Sequence, residues 1–278
     1  MALAEVVELS NGVEIPSVGL GTFPMDDGDA EVTVAEALAA GYRLLDTAES
    51  YGNEAGVGRG LRASGVDRGE VFITTKFNKQ WHGEQEVQDL FAQSARNLGV
   101  QYIDMLLIHW PNPGHDRYVD AWRGMIKLLE AGDLRAIGVS NFTPEHIDRL
   151  VTETGVVPHV NQIQLEPRVA RKAERAYHEA NGVLTQSWAP LGKAGSLLQL
   201  DPIVAAAQRH GRSPGQIVLR WHLESGAAPV PKSQDPQRLR DNLAVYDFEL
   251  SAEEMSAIDA LDGVEPDLDV LDPTSFGH

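Results

Sequence analysis

Two hydrophobic rhythms alternate along this chain almost from end to end. Short apolar runs read as strands: SVGLGT at 17–22, YRLLD at 42–46, VFITTK at 71–76, MLLIHW at 105–110, AIGVSN at 136–141, VNQIQL at 160–165, LTQSW at 184–188 and APVPK at 228–232. Most are continuous rather than strictly alternating, as expected of a parallel sheet covered by helices. Between them lie stretches in which apolar residues recur every three or four positions. In RYVDAWRGMIKLLEAG, at 117–132, Val119, Trp122, Met125, Ile126 and Leu129 form one stripe, and Gly132 supplies the stop. AEVTVAEALAA at 30–40, EVQDLFAQSARNLG at 86–99 and SAEEMSAIDAL at 251–261 read as further helices, with Ser251 and Glu254 spaced as a capping box. The N-terminus departs from the rhythm. There VVEL and VEIP flank Ser10-Asn11-Gly12, which predicts an antiparallel hairpin.

Strand–helix repeats with short connections favour a closed (β/α)₈ TIM barrel over an open sheet, with the hairpin lying across the barrel bottom. The 278 residues suit one such domain spanning 1–278, and no linker or composition break divides them. The acidic tail at 263–278, interrupted by Pro266 and Pro273, reads as a loop. GVGRG at 56–60 does not complete a dinucleotide-binding glycine spacing and sits in a helical stretch, so it predicts close helix packing.

Charge narrows the partners. Lysine and arginine total 23 against 41 acids, a formal charge of −18, which argues against nucleic acid or an anionic membrane as partner. The absence of cysteine excludes disulfides, a thiolate nucleophile and cysteine-ligated metal, and no zinc spacing occurs, so no metal site is expected. No basic segment leads into an apolar stretch at the N-terminus, and no run approaches the ~20 apolar residues of a membrane span. The expectation is a cytoplasmic monomer acting on a small molecule.

The chemistry concentrates at strand ends. DTAESYGNE, at 46–54, puts the Asp46 carboxylate and the Tyr51 phenol just past one strand; VFITTK ends on Lys76, and MLLIHW carries His109 near its end. Taken singly, each has a structural alternative: a turn residue, a rim charge, a core histidine. Together they suggest one convergent polar site. An ammonium beside a phenol favours the phenolate and lowers its pKa, and a carboxylate keeps a buried lysine charged. A histidine beside them can orient a carbonyl. Ser140 and Asn141 at the end of AIGVSN, and Gln162 in VNQIQL, gather short polar side chains at neighbouring strand ends. Lys232, Ser233 and Arg238 gather cations and a hydroxyl after the last strand, where α/β barrels usually hold phosphate.

These segments carry a resemblance to the aldo-keto reductases. LSNGVEIPSVGLGTF, DTAESYGNE, ITTK, LLIHWP, IGVSNF, NQIQLEP, SWAPLG and PKSQDPQRLRDN follow that family's order over nearly the whole chain, with details around SWAPLG similar to the bacterial 2,5-diketo-D-gluconate reductase branch. The resemblance implies NADPH-dependent reduction of aldehydes or ketones, small dicarbonyls or keto-sugar acids among them. It implies a catalytic tetrad of Asp46, Tyr51, Lys76 and His109. Ser140, Asn141 and Gln162 would hold the nicotinamide carboxamide, with Trp188 on the ring face. Backbone amides of Leu191 and Gly192 would meet the pyrophosphate; Lys232, Ser233 and Arg238 would meet the 2′-phosphate of NADP, and Asn242 the adenine. Phe23, Phe77 and Trp110 with His109 would line the substrate pocket, Trp81 and Phe276 adding to it. Gln164 and Glu166 replace a Glu and a His common in the family, and Asp235 falls inside the cofactor loop, where it would oppose a 2′-phosphate. The competing reading is an NADPH-binding redox-sensing regulatory subunit with vestigial activity; a barrel isomerase or hydrolase is a third.

Overall fold

A computed structural model describes residues 3–192, 196–264 and 270–276. The chain opens with a hairpin, β1 (Val6–Glu8) and β2 (Glu14–Pro16), paired antiparallel so that Val7 faces Ile15. Eight parallel strands follow in sequential order: β3 (Leu20–Gly21), β4 (Leu44–Asp46), β5 (Phe72–Phe77), β6 (Ile103–Ile108), β7 (Leu134–Ser140), β8 (Val160–Gln164), β9 (Leu184–Trp188) and β10 (Ala227–Pro229). The ring closes where the Gly19 and Gly21 amides donate to the Pro229 and Pro231 carbonyls at 3.0 and 3.1 Å. The fold is therefore the expected (β/α)₈ barrel. β3, β4, β8 and β10 are shorter than their apolar runs, whose ends leave the sheet for the adjoining loops.

The helices are α1 (Asp27–Ala40), α2 (Glu54–Ser64), α3 (Glu84–Leu98), α4 (Tyr118–Ala131), α5 (Pro144–Thr154), α6 (Lys172–Ala180), α7 (Asp201–His210), α8 (Pro214–Glu224), α9 (Pro236–Leu243) and α10 (Ala252–Asp259). Among the described residues none is long and apolar enough to cross a membrane. The Ser251–Glu254 capping box is present at α10, and Gly132 ends α4 in the left-handed conformation. GVGRG lies inside α2. A Cβ on Gly56 would sit 1.9 Å from the Asp27 carbonyl, and one on Gly58 1.9 Å from that of Leu98, so these glycines let α2 press against its neighbours.

Side-chain alternation divides the barrel wall into two faces. Leu44, Phe72, Met105, Leu107, Ala136 and Val160 point inward and pack with Leu9 and Ile15 of the hairpin, which plugs the bottom. Leu45, Ile73, Phe77, Leu106, Ile108, Ile137 and Val139 point outward into the larger core beneath the helices. Above the inward apolar layer the same faces turn polar.

Candidate active site

Lys76 is the centre of that polar layer. It lies two residues beyond Thr74 and four beyond the inward-facing Phe72, so the strand's period of two aims it into the barrel. Fully buried, its ammonium donates to Asp46 Oδ1 at 2.6 Å, to the Thr47 carbonyl at 3.0 Å and to the Tyr51 hydroxyl at 3.5 Å. Its three N–H groups are thereby all engaged. Accepting from Lys76 leaves the Tyr51 proton free to be given elsewhere. The second Asp46 oxygen, Oδ2, accepts from Gln162 Nε2 at 2.8 Å.

The electrostatics differ from the expectation in one respect. Burial pushes the Tyr51 phenol up; the Lys76 ammonium pulls it down, the Asp46 carboxylate pushes it up again, and the outcome lies above the ordinary tyrosine value rather than below it. Burial works against the Lys76 ammonium, but Asp46 and Tyr51 outweigh it and hold Lys76 above the usual lysine value. The phenol thus stays protonated and the lysine charged.

Around Tyr51 the structure brings together Phe23, with ring centroids 5.0 Å apart, and His109, at 5.8 Å and nearly edge-on. Trp110 stacks on His109 at 6.4 Å and meets Phe276 of the tail edge-on at 4.6 Å. The other expected pocket residue, Phe77, is not brought there. It follows Lys76 on β5, so alternation turns it outward, where it is fully buried in the helix-facing core against His82. Trp81 likewise packs against that core.

At the ends of β7, β8 and β9 the expected polar residues form a chain of hydrogen bonds. Ser140 Oγ donates to the Gln162 carbonyl at 2.8 Å; Asn141 Nδ2 donates to Ser140 Oγ and to the His109 carbonyl. Trp188 Nε1 donates to Asn141 Oδ1 at 2.8 Å, which fixes the indole ring beside the mouth. Past Trp188 the chain turns sharply, the Gly192 amide donating to the Ala189 carbonyl. That amide, expected to meet a pyrophosphate, is engaged in a turn here; residues 193–195 lie outside the described chain.

The phosphate-side cluster is looser. Lys232 and Arg238 are exposed, Lys232 reaching only Gln234 and the Arg238 guanidinium making no hydrogen bond or ion pair among the described residues. Ser233 is buried, its Oγ accepting from the Asp235 amide, and Asn242 is buried on α9. Asp235 caps α9, accepting from the amides of Gln237 and Arg238. The Arg238 amide, then that of Gln237, draws its pKa down, so the carboxylate is retained but tied to the helix terminus.

Some contributors have no signal in the strand-end pattern. Asn53 is fully buried, accepting from Thr47 Oγ1 and donating to the Thr22 and Met25 carbonyls, so it stitches the Tyr51 loop to the wall. Glu54 accepts from Thr75 and Asn97. Asn53 and Glu54, the last two residues of DTAESYGNE, therefore serve as scaffold. Gln164 holds the tail through the Leu271 amide, and Glu166 forms a buried pair with Arg168 at 2.7 Å. Gln186, in β9, accepts from Gln162 Nε2. Gln164 and Leu271 lie 107 positions apart and Gln162 and Gln186 lie 24 apart, so only the tertiary fold brings these pairs together.

These residues fit a nicotinamide dinucleotide: a fixed indole face, polar atoms beside it, and exposed cations at the rim of an otherwise acidic chain. The Aldo/keto reductase family pattern matches residues 17–263. The 2,5-diketo-D-gluconic acid reductase B of Corynebacterium sp. is 44% identical over 92% of this chain and 92% of its own length. The methylglyoxal reductase DkgA of Yersinia pestis is 42% identical over 94% of each. The crystal structure of a Bombyx mori aldo-keto reductase in complex with NADP superposes with a TM-score of 0.88 at 33% identity, covering 95% of this chain and 94% of that one.

Proposed function

This chain belongs to the aldo/keto reductase family and is an NADP-dependent oxidoreductase, and we propose that it reduces small activated carbonyls with hydride from bound NADPH while Tyr51 gives the proton. The observation that carries this reading is the Lys76 ammonium bridging the Asp46 carboxylate and the Tyr51 hydroxyl at the C-terminal mouth of the barrel. As negative charge develops on the substrate oxygen, the Tyr51 O–H shortens its hydrogen bond to it and releases its proton. Lys76, 3.5 Å from the phenol oxygen, stabilises the phenolate left behind, and Asp46 keeps Lys76 charged. His109 orients the carbonyl from the edge of the Tyr51 ring. The nascent alkoxide is a much stronger base than a phenolate, so it takes the Tyr51 proton despite the phenol's upward-shifted pKa, and solvent restores that proton afterwards.

Phe23, Trp110 and Phe276 form the aromatic approach, which suits compact planar dicarbonyls. A neighbouring electron-withdrawing carbonyl lowers the barrier and demands less binding from so open a wall. The names of the relatives, a methylglyoxal reductase and a diketo-gluconic acid reductase, support the same class. Lys232 and Arg238 would hold the 2′-phosphate, Ser233 and Asn242 would serve the same half of the dinucleotide, and Trp188 would offer its face to the nicotinamide. Loss of NADPH absorbance on addition of methylglyoxal or phenylglyoxal tests the reading. Carbonyl-dependent turnover that disappears in Tyr51→Phe is expected. Tight NADPH binding with no turnover of any dicarbonyl would overturn it and turn the protein into a redox-sensing subunit.

A further inference from the structure

We propose that Gln186 is a positioning residue for cofactor selection: it takes the second N–H of Gln162 and so fixes that side chain with only its carbonyl oxygen toward the mouth. The inference rests on the NADPH site read above. The orientation follows from donor and acceptor identity. The Asp46 carboxylate, already holding Lys76 on Oδ1, can only accept, so the Gln162 atom 2.8 Å from Oδ2 is the amide nitrogen. That nitrogen has one hydrogen left and lies 2.7 Å from Gln186, whose facing atom is therefore its carbonyl oxygen. Both donors of Gln162 are then committed, and its Oε1 accepts from no described residue.

Gln186 is fully buried, and its own Nε2 has no hydrogen-bond partner among the described residues. A buried unbonded N–H destabilises the fold, and an apolar side chain of similar size would avoid that cost. What Gln186 adds at this position is its acceptor. The neighbouring side chains share the same bias. Asn141 spends both N–H groups on His109 and Ser140, and the Ser140 hydroxyl donates to the Gln162 carbonyl. The strand ends beside Trp188 thus offer acceptors and withhold side-chain donors. The ligand group they select is an N–H donor, the amide NH₂ of a pyridine carboxamide. A methyl ketone in that place has no hydrogen to give, and a carboxylate would also face the charge of Asp46.

Tryptophan-fluorescence titration of wild type, Gln186→Leu and Gln186→Glu with NADP and with its 3-acetylpyridine analogue tests this without turnover. Wild type is expected to bind the analogue about tenfold more weakly, the worth of one hydrogen bond with its acceptor left unsatisfied. In Gln186→Leu the freed Gln162 N–H can turn to the acetyl oxygen, and the ratio should fall toward one. Gln186→Glu keeps an acceptor and should keep the discrimination. Equal wild-type affinities for the two dinucleotides overturn the inference directly, even if Gln186→Leu fails to fold; an unchanged ratio in a folded Gln186→Leu removes Gln186 from the role. Failure of the wild type to bind either dinucleotide sinks the NADPH site and this inference together, whereas binding without discrimination sinks the inference alone.

Discussion

The interior of the barrel mouth and its phosphate-side rim are both polar, yet they are built on opposite terms. Inside, Lys76, Asp46 and Gln162 are buried, and the donors of Lys76 and Gln162 are committed to partners at 2.6–3.5 Å. At the rim, Arg238 stands exposed with no partner among the described residues, and Lys232 holds only a neighbouring glutamine. The interior is arranged before any ligand arrives, so its charges need no reorganisation during reaction. The rim leaves its cations exposed, which in the proposed reading keeps them for a ligand that brings its own negative charge, in a chain whose formal charge is −18. Substitutions inside should therefore disturb chemistry and fold together; substitutions at the rim should disturb affinity alone.

The largest effect should come from Tyr51→Phe. Removing the hydroxyl while keeping the ring deletes the proton donor, and turnover of a dicarbonyl should fall by ~10²–10⁴ with the NADPH affinity nearly unchanged. Because the phenol lies above its ordinary value, wild-type turnover should stay level through neutral pH and decline only beyond the usual tyrosine range near ~10. Near-normal turnover in the mutant would remove Tyr51 from its role. Next is Asp46→Ala. It strands the Lys76 ammonium in a buried site, which typically costs about 3–5 kcal/mol, so chemical denaturation should show a large loss of stability alongside lost activity. A stable Asp46→Ala protein would mean the interior tolerates unpaired charge and that the contrast with the rim is wrong.

Arg238→Ala probes the other side of the comparison. Losing an exposed charge-assisted contact to a phosphate should weaken NADPH binding roughly 10- to 100-fold and leave NADH binding and thermal stability unmoved. Loss of NADH affinity as well would place the guanidinium elsewhere on the dinucleotide. Mild acid should act on stability rather than on the site, and its effect should arise outside both regions. Burial pushes His82 down to about 3, with the charges of His115 and Arg117 adding to it, pushes His178 down to about 4, and pushes His222 down to about 3. A histidine depressed in the folded state binds fewer protons than in the unfolded chain between its folded pKa and ~6.5. Stability is thus fully present above that range and erodes as pH falls through it, by at most ~1.4 kcal/mol per group per pH unit. Denaturation midpoints at pH 7 and pH 5 should differ in that direction, and identical midpoints would remove these histidines as the acid-sensitive elements.

Part of this protein is written in local order. The alternation of apolar runs and three-to-four-spaced stripes determined the strands, the helices and their sequence along the barrel, because each signal depends only on near neighbours. Asn-Gly determined the hairpin, and polar residues at or near the ends of three strand-like runs pointed to Asp46, Lys76 and His109 at one mouth. The directions in which side chains point, and the donors they spend, are not local quantities. Phe77 reads as an aromatic pocket residue beside Lys76, but the barrel faces Lys76 inward and so sends Phe77 to the helices. Asp235 reads as an obstacle to phosphate; the fold adds that its carboxylate caps α9, accepting from the Gln237 and Arg238 amides, and stays ionised there. Gln162 meets Asp46 across 116 positions and Gln186 across 24, contacts that exist only once the sheet closes. Residue types announced the chemistry; which N–H groups remained to perform it was decided by tertiary structure, since a hydrogen bond consumes a donor wherever in the chain its acceptor comes from.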